Sequence, residues 1–178
     1  MKKIALIALL FALSWQTYAQ NFEDPNFKRN ELKFDVVHLL LPAIKLEYEY
    51  FRNDWSSFGA VGLISFSSDS DNDIFFTNLK SQLLGFYRLY FGKNPMRGFF
   101  LEGNLGISSG TYEHRSGGLF SPRETKPYTA FGVGIALGWK FHIPKSDVVL
   151  DIFSGMGRLF HDDAGFYQRV GICVGKRF

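Results

Sequence analysis

The sequence predicts an all-β fold: an eight-stranded antiparallel up-and-down transmembrane β-barrel preceded by a cleavable signal peptide. The first observation is the closing segment 166–178. Phe166, Gln168, Val170, Ile172, Val174, Lys176 and Phe178 fall on one face, and Tyr167, Arg169, Gly171, Cys173, Gly175 and Arg177 on the other. An apolar face opposite a polar or small one, at a period of two, is the pattern of a strand between two different media. The second is the N-terminus, where Met1-Lys2-Lys3 precedes an apolar run over 4–13 and Thr17-Tyr18-Ala19 supplies a small-residue cleavage site. Third, no later apolar run approaches the ~20 residues of a membrane helix. The chain divides instead into alternating segments separated by turn residues.

The N-terminal pattern is that of a Sec-type signal, with cleavage expected between Ala19 and Gln20. Its apolar run is too short to serve as a spanning anchor, and no cysteine near the cleavage site suggests a lipoprotein. The expected organisation is therefore a signal peptide over 1–19, a periplasmic N-terminal segment over 20–29 and one barrel domain over 30–178. Loss of Lys2 and Lys3 leaves 18 basic residues against 17 acidic ones, a net charge of +1. Such a balance gives nucleic acid no hold. A single cysteine, Cys173, excludes an internal disulfide. Twenty phenylalanines and 17% aromatic residues suit a barrel, which places aromatic girdles at both interfaces.

Strand one, 31–40, sets Leu32, Phe34 and Val36 opposite Glu31, Lys33 and Asp35. Strand two, 43–51, sets Ile44, Leu46, Tyr48 and Tyr50 against Lys45, Glu47 and Glu49, and Arg52-Asn53-Asp54 turns the chain. Strand three covers 57–66 and is followed by a polar, acidic loop over 67–73. Strand four, 78–91, has Leu83, Tyr87, Leu89 and Phe91 outward and Gln82, Arg88 and Tyr90 inward, before the turn Gly92-Lys93-Asn94-Pro95.

Strand five, 99–112, has Leu101, Leu105 and Ile107 outward and Glu102, Asn104 and Ser108 inward. A long glycine- and proline-containing loop is expected over 113–127. Strand six, 128–143, places Phe131, Val133, Ile135, Leu137, Trp139 and Phe141 opposite Ala130, Gly132, Gly134, Ala136, Gly138 and Lys140. Pro144-Lys145-Ser146-Asp147 turns into strand seven, 148–160, and 161–165 leads to strand eight.

An even strand number returns the chain to the side from which it entered, and loop lengths sort accordingly. The second, fourth and sixth connections are short, whereas the third and fifth, 67–73 and 113–127, are longer, as expected on a cell exterior. Aromatics gather at strand ends, with Tyr50, Trp55, Tyr90, Phe91, Phe99, Trp139 and Phe141 on one side. Phe75, Phe76, Tyr112, Tyr128, Phe160 and Phe166 lie on the other. The first connection, Leu39-Leu40-Leu41-Pro42-Ala43, is apolar and short, and a continuous strand through it would break the parity. A soluble β-sandwich also alternates, but its exterior is polar. Apolar residues facing lipid, with polar or small ones inside, account for every strand with one rule.

In this register the inward charges are Glu31, Asp35, Glu47, Glu49, Glu102 and Asp151 against Lys33, Lys45, Arg88, Lys140, Arg169 and Arg177. Eight strands enclose room for side chains only, and charges there must be paired. A filled, ion-paired lumen is expected, with a narrow ion-conducting path as the competing reading.

The whole mature chain resembles small eight-stranded bacterial outer-membrane barrels of the OmpX or OmpA-transmembrane type. It looks closest to an uncharacterised outer-membrane barrel family of Bacteroidetes. The resemblance is carried by Asn30-Glu31-Leu32-Lys33-Phe34, Leu46-Glu47-Tyr48-Glu49, Ser56-Ser57-Phe58-Gly59, Tyr87-Arg88-Leu89-Tyr90-Phe91-Gly92-Lys93, Gly98-Phe99-Phe100-Leu101-Glu102-Gly103 and the ending Val174-Gly175-Lys176-Arg177-Phe178. It implies residence in the cell outer membrane. It also implies that Val174, Gly175 and Phe178 belong to a terminal signal read by the barrel assembly machinery. Outer-membrane lipids and that machinery are the implied partners, with an extracellular partner reached through 67–73 and 113–127, and the protein is expected as a monomer.

These motifs specify architecture and not an activity, so a non-catalytic, structural or surface-interacting barrel is the expectation. The competing enzyme reading starts from His114-Arg115-Ser116 with Glu124. These resemble the His-x-Ser plus acid arrangement of the lipid A deacylase PagL, in which a serine nucleophile needs a histidine base and an orienting acid. The spacing to Glu124 is shorter than in that family, and two further strands follow where PagL has one. His161-Asp162-Asp163 reads as a charged loop tip more readily than as a metal site. Neither a metal nor any other cofactor is expected.

Overall fold

The computed structural model describes residues 28–40, 42–66, 79–92, 96–115, 123–143, 146–161 and 165–178. The signal segment 1–19 and the acidic stretch 67–73 lie outside the described residues. The alternating segments form strands β1 (Asn30–Asp35), β2 (Ala43–Asn53), β3 (Ser56–Ser65), β4 (Leu79–Phe91), β5 (Gly98–Arg115), β6 (Arg123–His142), β7 (Val148–Leu159), β8 (Phe166–Gln168) and β9 (Gly171–Arg177). Each of β1 to β7 pairs antiparallel with the next.

β8 and β9 keep one register against β7, with Met156 opposite Gln168 and Phe153 opposite Gly171. Between them the Arg169 N–H donates to the Gly155 carbonyl at 3.0 Å. They are two halves of one strand, so the sheet has eight staves. β9 then returns to β1, where Glu31 opposes Arg177, and Asn30 and Phe178 exchange backbone hydrogen bonds of 3.1 and 2.8 Å. The sheet is closed, and its first and last staves meet at one rim, where Asn30 pairs with Phe178, called here the terminal rim.

Two expectations are corrected. The first strand does not run to residue 40: β1 stops at Asp35 and a single helical turn, α1 (Val36–Leu40), follows. The cause is local. Asp35 Oδ1 accepts from the backbone N–H groups of Val37 at 3.0 Å and His38 at 3.4 Å, which is helix N-cap geometry. Pro42, with no N–H to donate, then starts the return. The connection is thus a capped turn, and the even parity survives. β1 is consequently shorter than its neighbours, and α1 packs against β2 and β9 beyond it. On that side Lys45 Nζ donates to the Val170 carbonyl at 3.0 Å.

The second correction concerns the fifth connection, expected as a loop over 113–127. Its flanks are paired strand: the β5–β6 ladder continues through Thr111↔Pro127 to Arg115↔Arg123. The described part of β4 pairs with β5 as far as Leu79↔Gly110, and β7 leaves β6 at Gly132↔Leu159. At the far rim the two-stranded ribbon runs beyond β7 and beyond the described part of β4, by roughly 17 Å for its five outermost pairs at the antiparallel rise.

Burial follows the alternation. Phe131, Val133, Ile135, Leu137, Trp139 and Phe141 are exposed on the outside of β6, while Ala130, Ala136 and Lys140 are buried inside. Phe91, Phe99, Trp139 and Phe141 form a chain of ring contacts of 5.9, 6.5 and 6.3 Å near the terminal rim. Tyr90 points inward, as its strand phase predicts, and Tyr128, grouped by sequence with the strand-end aromatics, does so too; they are 4% and 6% exposed. Both occupy inward positions of their strands, and that phase outweighs nearness to a strand end.

The interior holds two apolar clusters. One comprises Val61, Leu84, Phe86, Tyr128, Ala130, Leu159 and Tyr167. The other, nearer the terminal rim, comprises Phe51, Tyr90, Met96, Phe100, Phe153 and Cys173. Glycine makes room where the rings reach the wall: a Cβ on Gly157 would lie 2.1 Å from Tyr167 Cζ.

Candidate functional site

Between and around these clusters lies a network of buried charge drawn from the whole circumference of the sheet. At its centre is Arg88 of β4. Its guanidinium lies 2.9 Å from Glu47, 2.8 Å from Glu49, 2.8 Å from Glu102 and 2.9 Å from Asp151. Lys33 of β1 reaches Glu47 at 2.7 Å, Asp151 at 2.6 Å, Glu31 at 3.6 Å and also Glu49. Lys140 of β6 pairs with Glu31, with Glu49 at 2.8 Å and with Asp151 at 3.6 Å. Arg169, at the junction of β8 and β9, holds Glu47 and Glu102, each at 2.9 Å. Arg177 bonds Glu31 at 2.6 Å and donates to the Met96 carbonyl at 3.2 Å.

Neutral groups complete the coordination. Ser57 and Tyr90 hydroxyls donate to Glu49, Asn104 donates to Glu102 at 3.1 Å, and Tyr167 donates to Asn104. A smaller cluster lies beneath α1, where Asp35 takes Lys45 at 2.9 Å and His38 Nδ1 at 3.0 Å. All twelve charged residues expected inside are accordingly in ion pairs. Six carboxylates meet six cations, and eleven of the twelve residues are buried; Arg177, at the rim, is partly so.

The cations are also stacked on rings. Arg88 lies 4.5 Å from the Phe86 centroid and 4.4 Å from that of Phe100. Arg169 lies 4.3 Å from Phe153, and Lys140 4.8 Å from Phe51. Such contacts favour a desolvated guanidinium or ammonium, so these three cations are held both by carboxylates and by π-faces. These rings were not singled out from the sequence, although the signal was present. Phe51 is in phase with Glu47 and Glu49, Phe86 with Arg88, Phe100 with Glu102, Phe153 with Asp151 and Tyr167 with Arg169.

The chemistry open to this arrangement is limited. Carboxylate oxygens of Glu47, Glu49 and Asp151 lie within 4.8 Å of one another, a spacing suited to a metal ion. Lys33 and Arg88 each pair with all three, so ammonium and guanidinium groups occupy the place of a metal. Asp151 Oδ1 and Arg169 Nη1 have no hydrogen-bond partner among the described residues. Glu47 Oε1 and Arg88 Nη2 meet at ion-pair distance but off the hydrogen-bond axis.

His114 and Glu124, two of the three residues of the enzyme reading, lie opposite each other on the projecting ribbon. Ser116 lies outside the described residues. Val174 and Gly175 pair with Phe34 and Lys33 of β1, and Phe178 pairs with Asn30 at the terminal rim.

Comparison with protein-family models, with curated proteins and with solved structures returned no match. The fold and the site together define a class: a closed eight-stranded antiparallel up-and-down β-barrel with a charged, side-chain-filled interior.

Proposed function

We propose that this chain is an exported, integral outer-membrane β-barrel, non-catalytic and non-conducting, that meets partners on the cell exterior through its β5–β6 ribbon. The observation that carries this reading is the inversion of polarity between wall and interior. Leu83, Ile135, Met156 and Phe166 are each about two-thirds exposed on the outside, while Lys33, Glu49, Arg88 and Asp151 are at most 1% exposed inside. Contiguous apolar exteriors of this extent are rare in water-soluble proteins, and charged groups there are almost never fully buried unless paired. In hydrocarbon the same outer face is favourable, and closure between β9 and β1 supplies the edge pairing that lipid could not. The terminal rim then faces the periplasm and the ribbon projects outward. A lumen occupied by ion pairs and rings leaves no wide aqueous path, which supports the non-conducting part of the reading.

Fractionation tests the proposal. The protein is expected in urea-washed outer membranes, with an unboiled form that migrates differently from the boiled form on a denaturing gel. Recovery from the soluble periplasm without such heat-modifiable mobility contradicts it. Discrete single-channel steps in planar bilayers would contradict the closed lumen alone.

A further inference from the structure

Among the described residues the outer faces of β6 from Phe131 to Phe141 and of β7 from Ile152 on to Phe160, just past its end, are apolar apart from Ser154, and they carry a single charge, near the far rim. Arg158 of β7 points outward and is exposed, flanked in register by Val133 of β6 and Phe166 of β8. It makes no ion pair or hydrogen bond among the described residues. Its depth is fixed by its neighbours: Phe160, two residues further toward the rim, stacks on Phe131 with centroids 6.0 Å apart. A guanidinium with no partner among the described residues thus lies one outward position inside an aromatic pair, on a face otherwise suited to hydrocarbon.

Two further features converge there. Gln168, also outward and exposed, opposes Met156 and is the diagonal neighbour of Arg158 on the same face. Below them a shallow groove runs over the Gly134–Gly157 backbone between Val133, Ile135, Met156 and Phe166. Gly134 and Gly157 are inward positions, where a Cβ would meet the buried Tyr167 ring, so on the outside the groove floor is backbone and its walls are the apolar side chains beside it.

We propose that this corner binds a phosphorylated lipid of the outer leaflet. Arg158 takes the phosphate, Gln168 donates a hydrogen bond to the headgroup, and one acyl chain lies in the groove. Guanidinium–phosphate recognition is charge-assisted and often bidentate. Arg158 can bring its charged end to headgroup depth by extending past Phe160 while its methylenes stay on the apolar wall. A lipid supplies the anion and the hydrocarbon in one molecule, which matches the charge and the lining together. The inference rests on the outer-membrane reading above.

The test is retention of lipid by the full mature chain. Protein reconstituted with equal amounts of diphosphoryl lipid A and its dephosphorylated form is extracted into mild detergent, checked for heat-modifiable mobility, and analysed by native mass spectrometry. Wild type is expected to retain one phosphorylated lipid per chain, favoured by at least about tenfold, the ratio that one charge-assisted contact supports. Arg158→Gln should abolish the preference and Arg158→Lys should preserve part of it. Lys176→Gln, which removes an outward cation at the terminal rim, should leave it intact. Equal retention of the two lipids by wild type, or an unchanged preference in Arg158→Gln, overturns the lipid site while leaving the membrane reading standing. A copurifying polypeptide released by Arg158→Gln also overturns it, in favour of a protein contact. Failure of wild type to insert overturns the membrane reading and this inference with it.

Discussion

Arg88 donates to Asp151 across the barrel interior at 2.9 Å, joining β4 to β7, two strands that share no hydrogen-bonded edge. The same guanidinium reaches Glu47 and Glu49 on β2 and Glu102 on β5. One side chain therefore ties four strands together through the lumen. Buried ion pairs of this kind add little net stability over apolar packing, but breaking one leaves uncompensated charge. A one-residue slip of any strand that carries these charges would turn them outward, so the network penalises such a slip.

Arg88→Met should accordingly be severe. Four carboxylates lose their shared cation, and a loss of roughly 3–5 kcal/mol is expected from breaking buried pairs. Urea unfolding of the protein reconstituted in vesicles measures it. Adding Glu102→Gln should restore part of the loss, because one of the stranded charges is removed, and a double-mutant cycle reports the coupling. Additive losses would separate the two residues energetically and contradict the shared network.

Asp35 has two separable tasks, capping α1 and neutralising Lys45. Asp35→Asn keeps an oxygen for the backbone N–H groups of Val37 and His38 but not the charge beside Lys45. Asp35→Ala removes both. Alanine should cost about 1 kcal/mol more than asparagine, the usual value of an N-cap, in the same unfolding measurement. Equal losses would show that the cap contributes nothing to the turn.

Most of the architecture was legible in the chain because a barrel wall writes its environment at a period of two. Glu31, Lys33 and Asp35 alternate with Leu32 and Phe34, and a single phase places every later strand. What escaped was local chemistry that interrupts the phase. Asp35 reads both as the third inward residue of a strand and as an N-cap, and its hydrogen bonds to the next turn decide for the cap. The ribbon was missed for the opposite reason. Gly117, Gly118, Pro122 and Pro127 suggest a loop, yet Thr111 and Pro127 face each other within a continuing ladder. The ring layer around Arg88 and Arg169 is written in the same phase as the charges, in Phe86, Phe100 and Phe153, but an inward ring carries no charge that demands a partner and so gives no separate signal. No sequence period reports which inward carboxylate meets which cation, because that depends on stagger around a closed sheet.

Gly157 offers a packing test. Its missing Cβ admits the Tyr167 ring, so Gly157→Ala should destabilise by about 1–3 kcal/mol, as overpacking does. In a Tyr167→Ala background the same change should cost much less, because the obstructing ring is gone. Thermal loss of the heat-modifiable form provides the readout. An equal penalty in both backgrounds would assign it to the backbone instead.

Outside the strands, the Lys28 ammonium bonds Asp147 at 2.6 Å, and that hydrogen bond holds the carboxyl below its usual value of 3.8. A depressed carboxyl binds its proton less readily in the folded state, so the pair contributes stability above the unfolded value. That contribution is lost as pH falls through the lower folded one. Asp147→Asn should therefore remove a small part of the acid dependence of unfolding below about pH 4 and change nothing at neutral pH beyond the pair itself. The pair is exposed, and the effect should shrink with added salt. An unchanged acid limb would contradict the assignment.

The central claim is that the apolar outer wall faces hydrocarbon, and Trp139 reports on it directly. Trp139 is 48% exposed on the outside of β6; in protein prepared without residues 1–19, which hold Trp15, Trp55→Phe leaves it as the single tryptophan. In vesicles the Trp139 fluorescence should be quenched by lipids brominated on their acyl chains and remain insensitive to iodide in the surrounding water. Quenching by iodide with no response to brominated chains would contradict the account.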